Sequence, residues 1–192
     1  MNQLASIATA LFSWGTLIAQ VIIILASLLL ISVILKRPTN YLHHLSKKTA
    51  DHAFLFGFVI SLVVLFASLL YSNVVGFAPC ELCWWQRVFF FPQVILFGIA
   101  FYNEKISKVQ DEMVFLYSLV LSFIGAMVAL FQYYGQMFNT AILNTCAVEG
   151  VSCAKVFFIS FGYITMPMMS LTAYLVLILL YFFRRHHAKK KM

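Results

Sequence analysis

The sequence predicts an all-α integral membrane protein with five spans, and three observations carry that prediction. Of the 192 residues, 63% are hydrophobic and only 10% are charged, with a mean hydropathy of +0.94; a soluble domain is about 45–50% apolar and about 25% charged. Apolar runs of about 20 residues, enough to cross about 30 Å of hydrocarbon, recur along the chain with short loops between them. The formal net charge is +7, yet the positive residues stand in short blocks between the apolar runs. That is the orientation signal of a membrane protein, not a surface for polyanions. The composition excludes a soluble enzyme, a disordered chain and a nucleic-acid binder, and it makes membrane lipid the surrounding partner.

The first span lies within Ala5–Leu35, which holds no charged residue, and Lys36, Arg37 and Pro38 stop it. A polar stretch with Lys47, Lys48, Asp51 and three of the five histidines follows and reads as a loop. The second span is Ala53–Phe77, the third runs from about Trp84 to Tyr102, the fourth covers Met113–Tyr134, and the fifth runs from about Phe161 to Phe183. Pro92 and Pro167 are expected to kink their helices, and Ser118, Ser122 and Ala126 to serve as small packing residues.

Orientation follows from the cations. Lys36, Arg37, Lys47, Lys48, Lys105, Lys108, Arg184, Arg185 and Lys189–Lys191 fall on one side, eleven of the thirteen basic residues; only Arg87 and Lys155 fall on the other. Cytoplasmic loops carry that excess, so the N-terminus and the loops at 78–83 and 135–160 face outward. Residues 1–16 contain no Lys or Arg, and a cleaved signal peptide needs a basic start; the first span reads as a retained helix. The C-terminal lysines read as a basic cytoplasmic anchor.

All four cysteines, Cys80, Cys83, Cys146 and Cys153, fall on the outward side. In an oxidising compartment an even count implies disulfides, and four cysteines leave three connectivities open. Cys80-Glu81-Leu82-Cys83 has the C-x-x-C spacing of redox dithiols, and Pro79 before it suits the first turn of a helix. A helix N-terminus favours a thiolate. Cys80, Cys83 and Arg87 then fall at i, i+3 and i+7 on one helix face. Arg87 is the only arginine on the outer side, and an ionisable residue at the rim of the hydrocarbon points to function. It suits a thiolate or the anionic form of an electron acceptor; the bland alternative is snorkelling to the headgroups. Cys146 and Cys153, seven apart, taken alone would read as a static staple. Trp84, Trp85, Phe89, Phe90 and Phe91 mostly read as an aromatic belt, and Lys155 as an interfacial anchor.

All five histidines lie on the inner side, which excludes a di-histidine haem in the bundle, and Trp84 after Cys83 excludes C-x-x-C-H haem attachment. A four-cysteine zinc site fits the ligand count, but an oxidising compartment favours disulfides. Proton handling near the cysteines falls to Glu81, Glu149 or water.

C-x-x-C at the outer start of a span, an arginine four residues on, and a second pair in the next outer loop together resemble the DsbB family. The run Cys80-Glu81-Leu82-Cys83-Trp84-Trp85-Gln86-Arg87 is similar to its short, BdbC-type bacterial members. The resemblance covers residues 53–183. It implies a four-helix redox bundle at 53–183, preceded by an extra N-terminal helix and loop at 1–52 and followed by a basic tail at 184–192. It also implies a thiol:quinone oxidoreductase of the bacterial inner membrane that oxidises a DsbA-like thioredoxin-fold partner and reduces a quinone, ubiquinone or menaquinone.

By position, the resemblance makes Cys80 and Cys83 the quinone-proximal pair, with Cys83 engaging the quinone and Arg87 beside it. Cys146 would be attacked by the partner, with Cys153 its mate, and Cys80 and Cys153 would bridge the loops transiently. No metal is implied. Two features depart from the family pattern: the first span, and the short seven-residue spacing of the loop pair. A vitamin K epoxide reductase-like enzyme would place the loop pair before the C-x-x-C, the reverse of the order here. A non-enzymatic membrane protein stapled by two static disulfides is the alternative from a different class.

Overall fold

The computed structural model describes residues 3–35, 40–106, 112–143, 146–148 and 151–188. Its helices are α1 (Gln3–Ile34), α2 (Asn40–Asp51), α3 (Ala53–Leu69), α4 (Glu81–Ile106), α5 (Met113–Met137) and α6 (Met166–Ala188). Among the described residues, five of these are long and apolar enough to cross a membrane. Helices are the answer to hydrocarbon because every backbone N–H and C=O is satisfied within the segment. The chain is a multi-pass, all-α membrane protein, as its composition predicts.

The segment between the first two spans differs from the expected loop, since α2 is a helix. Among its described side chains Ser46 and Ala50 are buried, while Lys47 and Lys48 stay exposed. Arg184 also differs from its place in the predicted tail. It is buried on α6, pairs with Glu112 Oε1 at 2.7 Å, and donates to the Ala50 carbonyl at 3.1 Å. This ties α6 to the ends of α2 and α5. Lys36, Arg37, Lys108 and Lys189–Lys191, used for orientation, and Pro38, expected to end the first span, lie outside the described residues.

The core joins α3, α4, α5 and α6. Phe54 packs on Phe115 with ring centroids 4.7 Å apart, and Phe97 meets Phe115 at 5.6 Å. Gly57 makes room for Phe97: a Cβ there would lie 2.6 Å from the ring. Higher in the bundle, Phe90 stacks on Tyr174 at 3.9 Å, and Gly125 admits the Tyr174 ring. Phe90 is therefore a core residue, whereas Trp84 and Trp85 are about half exposed, as belt residues are. Ser118 and Ser122 do more than pack, since both hydroxyls donate to Gln93 Oε1, at 2.7 and 3.1 Å. Pro92 lies inside α4, but Pro167 is the second residue of α6. In a first turn the missing N–H costs no hydrogen bond, so Pro167 starts its helix instead of kinking it.

Two features set the end of the bundle that carries the cysteines. A π-helical turn, Leu70–Val74, finishes α3, and Gly76 at φ 80° turns the chain into Phe77-Ala78-Pro79 and α4. Between α5 and α6, a 3₁₀ turn (Thr140–Leu143) leads to a small antiparallel hairpin of β1 (Ala147–Val148) and β2 (Val151–Ser152). The start of α1 lies at this same end: Tyr71 donates to Thr9 Oγ1 at 3.5 Å, and Trp14 meets Phe161 edge-on at 5.0 Å.

Candidate redox site

Cys80 immediately precedes α4, and its carbonyl accepts the first helical bond, from Trp84 N–H at 3.1 Å. Cys83 follows in the first turn, so the C-x-x-C spacing folds the two sulfurs onto each other, with Sγ atoms 2.9 Å apart. The contact with Cys83, and burial after it, hold the Cys80 thiol above its ordinary range. Either sulfur can donate to the other. The second pair is a disulfide, Cys146–Cys153, whose cysteines flank the β1–β2 hairpin. Each cysteine thus directly adjoins one two-residue strand.

The two pairs meet. Cys80 and Cys153 are both buried, at 4% and 1% exposure, and they share one apolar cluster with Leu143, whereas Cys146 is only partly buried. Glu81 Oε2 lies 4.0 Å from Cys146 Sγ. Glu149 lies outside the described residues.

Three glutamines that sequence reasoning passed over organise this cluster. Gln132 Nε2 donates toward Cys80 Sγ at 3.3 Å and Cys83 Sγ at 3.6 Å, while its Oε1 accepts from Gln86 Nε2 at 2.8 Å. Gln86 is fixed in turn by Tyr174, whose hydroxyl donates to the Gln86 carbonyl at 2.8 Å. Gln136, one turn beyond Gln132 on α5, donates to the Cys153 carbonyl at 3.0 Å. One face of α5 thus reaches both cysteine pairs. The available signal was Gln132 and Gln136 at i, i+4 in an otherwise apolar span, because polar groups in membrane helices are costly unless partnered.

Arg87 does not snorkel. Its Nε donates to Ser68 Oγ at 2.8 Å and its Nη2 to the Ser68 carbonyl at 3.1 Å, while Trp84 lies under the guanidinium at 5.0 Å. Among the described residues no carboxylate pairs with it. Lys155 lies over Phe157 at 5.0 Å, apart from the cysteines' hydrogen bonds.

Cys83 and Arg87, one turn apart on α4, line the cysteine end of a cavity of about 710 Å³ that runs between the helices. Gln86, Gln132 and Ser68 also face it there, and the walls further in are almost wholly apolar. That volume is in the range of small-molecule and cofactor sites, which are apolar with a few placed polar groups.

A family model described as "Disulfide bond formation protein DsbB" matches residues 50–183. This chain belongs to the DsbB family. Among curated relatives, it is 34% identical over 113 residues to the "Probable disulfide formation protein C 2" of Bacillus anthracis, covering 59% of this chain and 76% of that one. It is likewise 34% identical over 122 residues to the "Disulfide bond formation protein C" of Bacillus subtilis (strain 168), covering 63% and 83%. With a "Probable disulfide formation protein" of Oceanobacillus iheyensis it shares 33% over 134 residues, covering 69% and 88%. No solved structure matches the chain significantly. The DsbB match begins at residue 50, so all of α1 and nearly all of α2 lie outside it.

Proposed function

We propose that this DsbB-family protein is a thiol:quinone oxidoreductase of the bacterial cytoplasmic membrane. In this reading it reoxidises the dithiol of an extracytoplasmic, DsbA-like thioredoxin-fold partner and passes two electrons to a membrane quinone. The observation that carries the reading is a continuous path. A partly buried sulfur, Cys146, is bonded to a buried one, Cys153; that one shares its cluster with Cys80; and Cys80 touches Cys83 at the mouth of a cavity shared with Arg87. The cysteine loops face outward on the strength of the cation bias.

Each exchange is attack of a thiolate on a disulfide sulfur. A partner thiolate attacks Cys146 Sγ and displaces Cys153 as thiolate; the partner's second thiol then releases Cys146, and the partner leaves oxidised. Cys153 attacks Cys80 of an oxidised Cys80–Cys83 pair, releasing Cys83 as thiolate. Cys146 then closes back on Cys153 and frees Cys80. The loop disulfide is restored, and the two electrons rest on Cys80 and Cys83. A quinone supplies the two-electron, two-proton sink that reoxidises this pair. Cys83 presents its sulfur to the cavity, Arg87 offers a positive charge in apolar surroundings, and Gln132 holds its N–H groups toward both sulfurs. Burial of Cys153 beside Cys80 favours Cys146 as the sulfur that meets the partner.

The test is reduction of a short-chain quinone, followed by absorbance, with detergent-purified protein and a reduced thioredoxin-fold protein. Wild type should consume quinone and Cys83→Ser should not. No turnover, with disulfides that resist mild reductant, would leave a stapled scaffold instead.

A further inference from the structure

The helix that lies outside the family match is a wall of the cavity. Phe12, Gly15, Thr16, Ala19, Ile23 and Ala26 of α1 all face it. α1 packs along α6 and touches α2 but makes little contact with α3, so the cavity lies in the gap between α1 and α3. Specific bonds fix α1 in that position: Gln20 accepts from the Tyr163 hydroxyl at 2.6 Å and donates to Thr172 Oγ1 at 3.2 Å. A Cβ added at Gly15, which lines the cavity, would meet nothing within 4 Å.

The cavity's shape and chemistry indicate one occupant. Its polar side chains cluster mainly at the cysteine end, around Cys83 and Arg87, and from there it reaches Leu180 and Phe183 near the opposite end of α6. From Met166 to Phe183 that wall is about 25 Å long at about 1.5 Å per residue. A compact polar head with a long, flexible hydrocarbon tail fits such a space; a compact ring alone would leave most of it unfilled.

Resting on the quinone reading above, we propose that α1 is a tail-binding helix: it closes the groove between α3 and α6 over the polyisoprenoid chain of the quinone and sets the preference for long-tailed acceptors.

The test measures binding separately from turnover. In nanodiscs, quenching of tryptophan fluorescence would give Kd for a tailless quinone and for one with a long isoprenoid tail. Wild type should bind the long-tailed form more tightly. Ala19→Phe and Ala26→Phe should each weaken long-tailed binding about tenfold, equivalent to excluding roughly two buried CH₂ groups, and leave the tailless Kd unchanged. Leu25→Phe, on an exposed position of α1 outside the cavity, should change neither.

Wild-type protein should also be labelled within residues 15–26 by a quinone with a photoreactive group in its tail. Equal Kd changes for both quinones, no change for either, or labelling confined to α3 and α6 would overturn the proposal. So would labelling of the cavity-facing residues Ala19, Ile23 or Ala26 by a photoreactive phospholipid in place of the quinone, since the groove would then hold bilayer lipid. Failure of the underlying reading looks different: wild type would not reduce even the tailless quinone.

Discussion

The Gln86 carboxamide donates a 2.8 Å hydrogen bond to Gln132 Oε1, and that bond decides which end of Gln132 faces the cysteines. With its oxygen occupied, Gln132 can present only N–H groups to Cys80 and Cys83. A donor aimed at sulfur stabilises a thiolate and the developing charge of an exchange step. Gln132→Leu should therefore lower quinone-coupled turnover about 10–100-fold, since a hydrogen bond to a charged group contributes about 1.5–3 kcal/mol. Turnover within twofold of wild type would rule out this role.

Arg87 binds Ser68 through two N–H groups and faces the cavity with no carboxylate partner among the described residues. Arg87→Ala should mainly raise the apparent KM for quinone, about tenfold or more, with a smaller change in kcat. Lysine cannot reproduce the two-pronged contact, so Arg87→Lys should restore only part of the affinity. Steady-state kinetics over a quinone series checks both, and an unchanged quinone dependence would remove Arg87 from the site.

Cys146 is the more accessible loop sulfur and Cys153 the buried one. Cys146→Ser should abolish oxidation of the thioredoxin-fold partner while leaving quinone binding intact. A Cys153→Ser protein should instead trap a mixed disulfide between Cys146 and the partner, visible on a non-reducing gel. Trapping through Cys153 in the Cys146→Ser protein would reverse the assignment.

Gly125 lies where an added Cβ would come within 2.2 Å of the Tyr174 ring, which stacks on Phe90 and holds Gln86. Overpacking a filled core typically costs about 1–3 kcal/mol. Gly125→Ala should lower the thermal unfolding temperature in detergent and reduce turnover with it, because Tyr174 sets the position of the glutamine relay. An unchanged Tm would show that the ring yields without cost.

Arg184 connects three helices at the opposite end, far along α6 from the cysteines. Arg184→Met should cost about 1–3 kcal/mol of stability by leaving the Ala50 carbonyl without its donor. Its effect should appear in Tm and not in the quinone KM. A selective change in KM would show that the ends of the bundle are coupled.

The sequence by itself determined the number of spans and the grouping of the cysteines at one end of the bundle. Hydropathy and cation bias are sums over local stretches, and C-x-x-C geometry is set within one helical turn, so none of these needs a partner helix. The tertiary structure decided which sulfur is buried, that Phe90 and Arg184 belong to the core, that Gln86, Gln132 and Gln136 serve the cysteines, and that α1 lines the cavity. Helices apolar on nearly every face carry no stripe that announces their rotation, and without a hydrophobic drive between them in lipid their pairing rests on close fit and a few polar contacts. Such a contact joins Gln86 to Gln132 across 46 residues of chain, and only the packed bundle brings the two together.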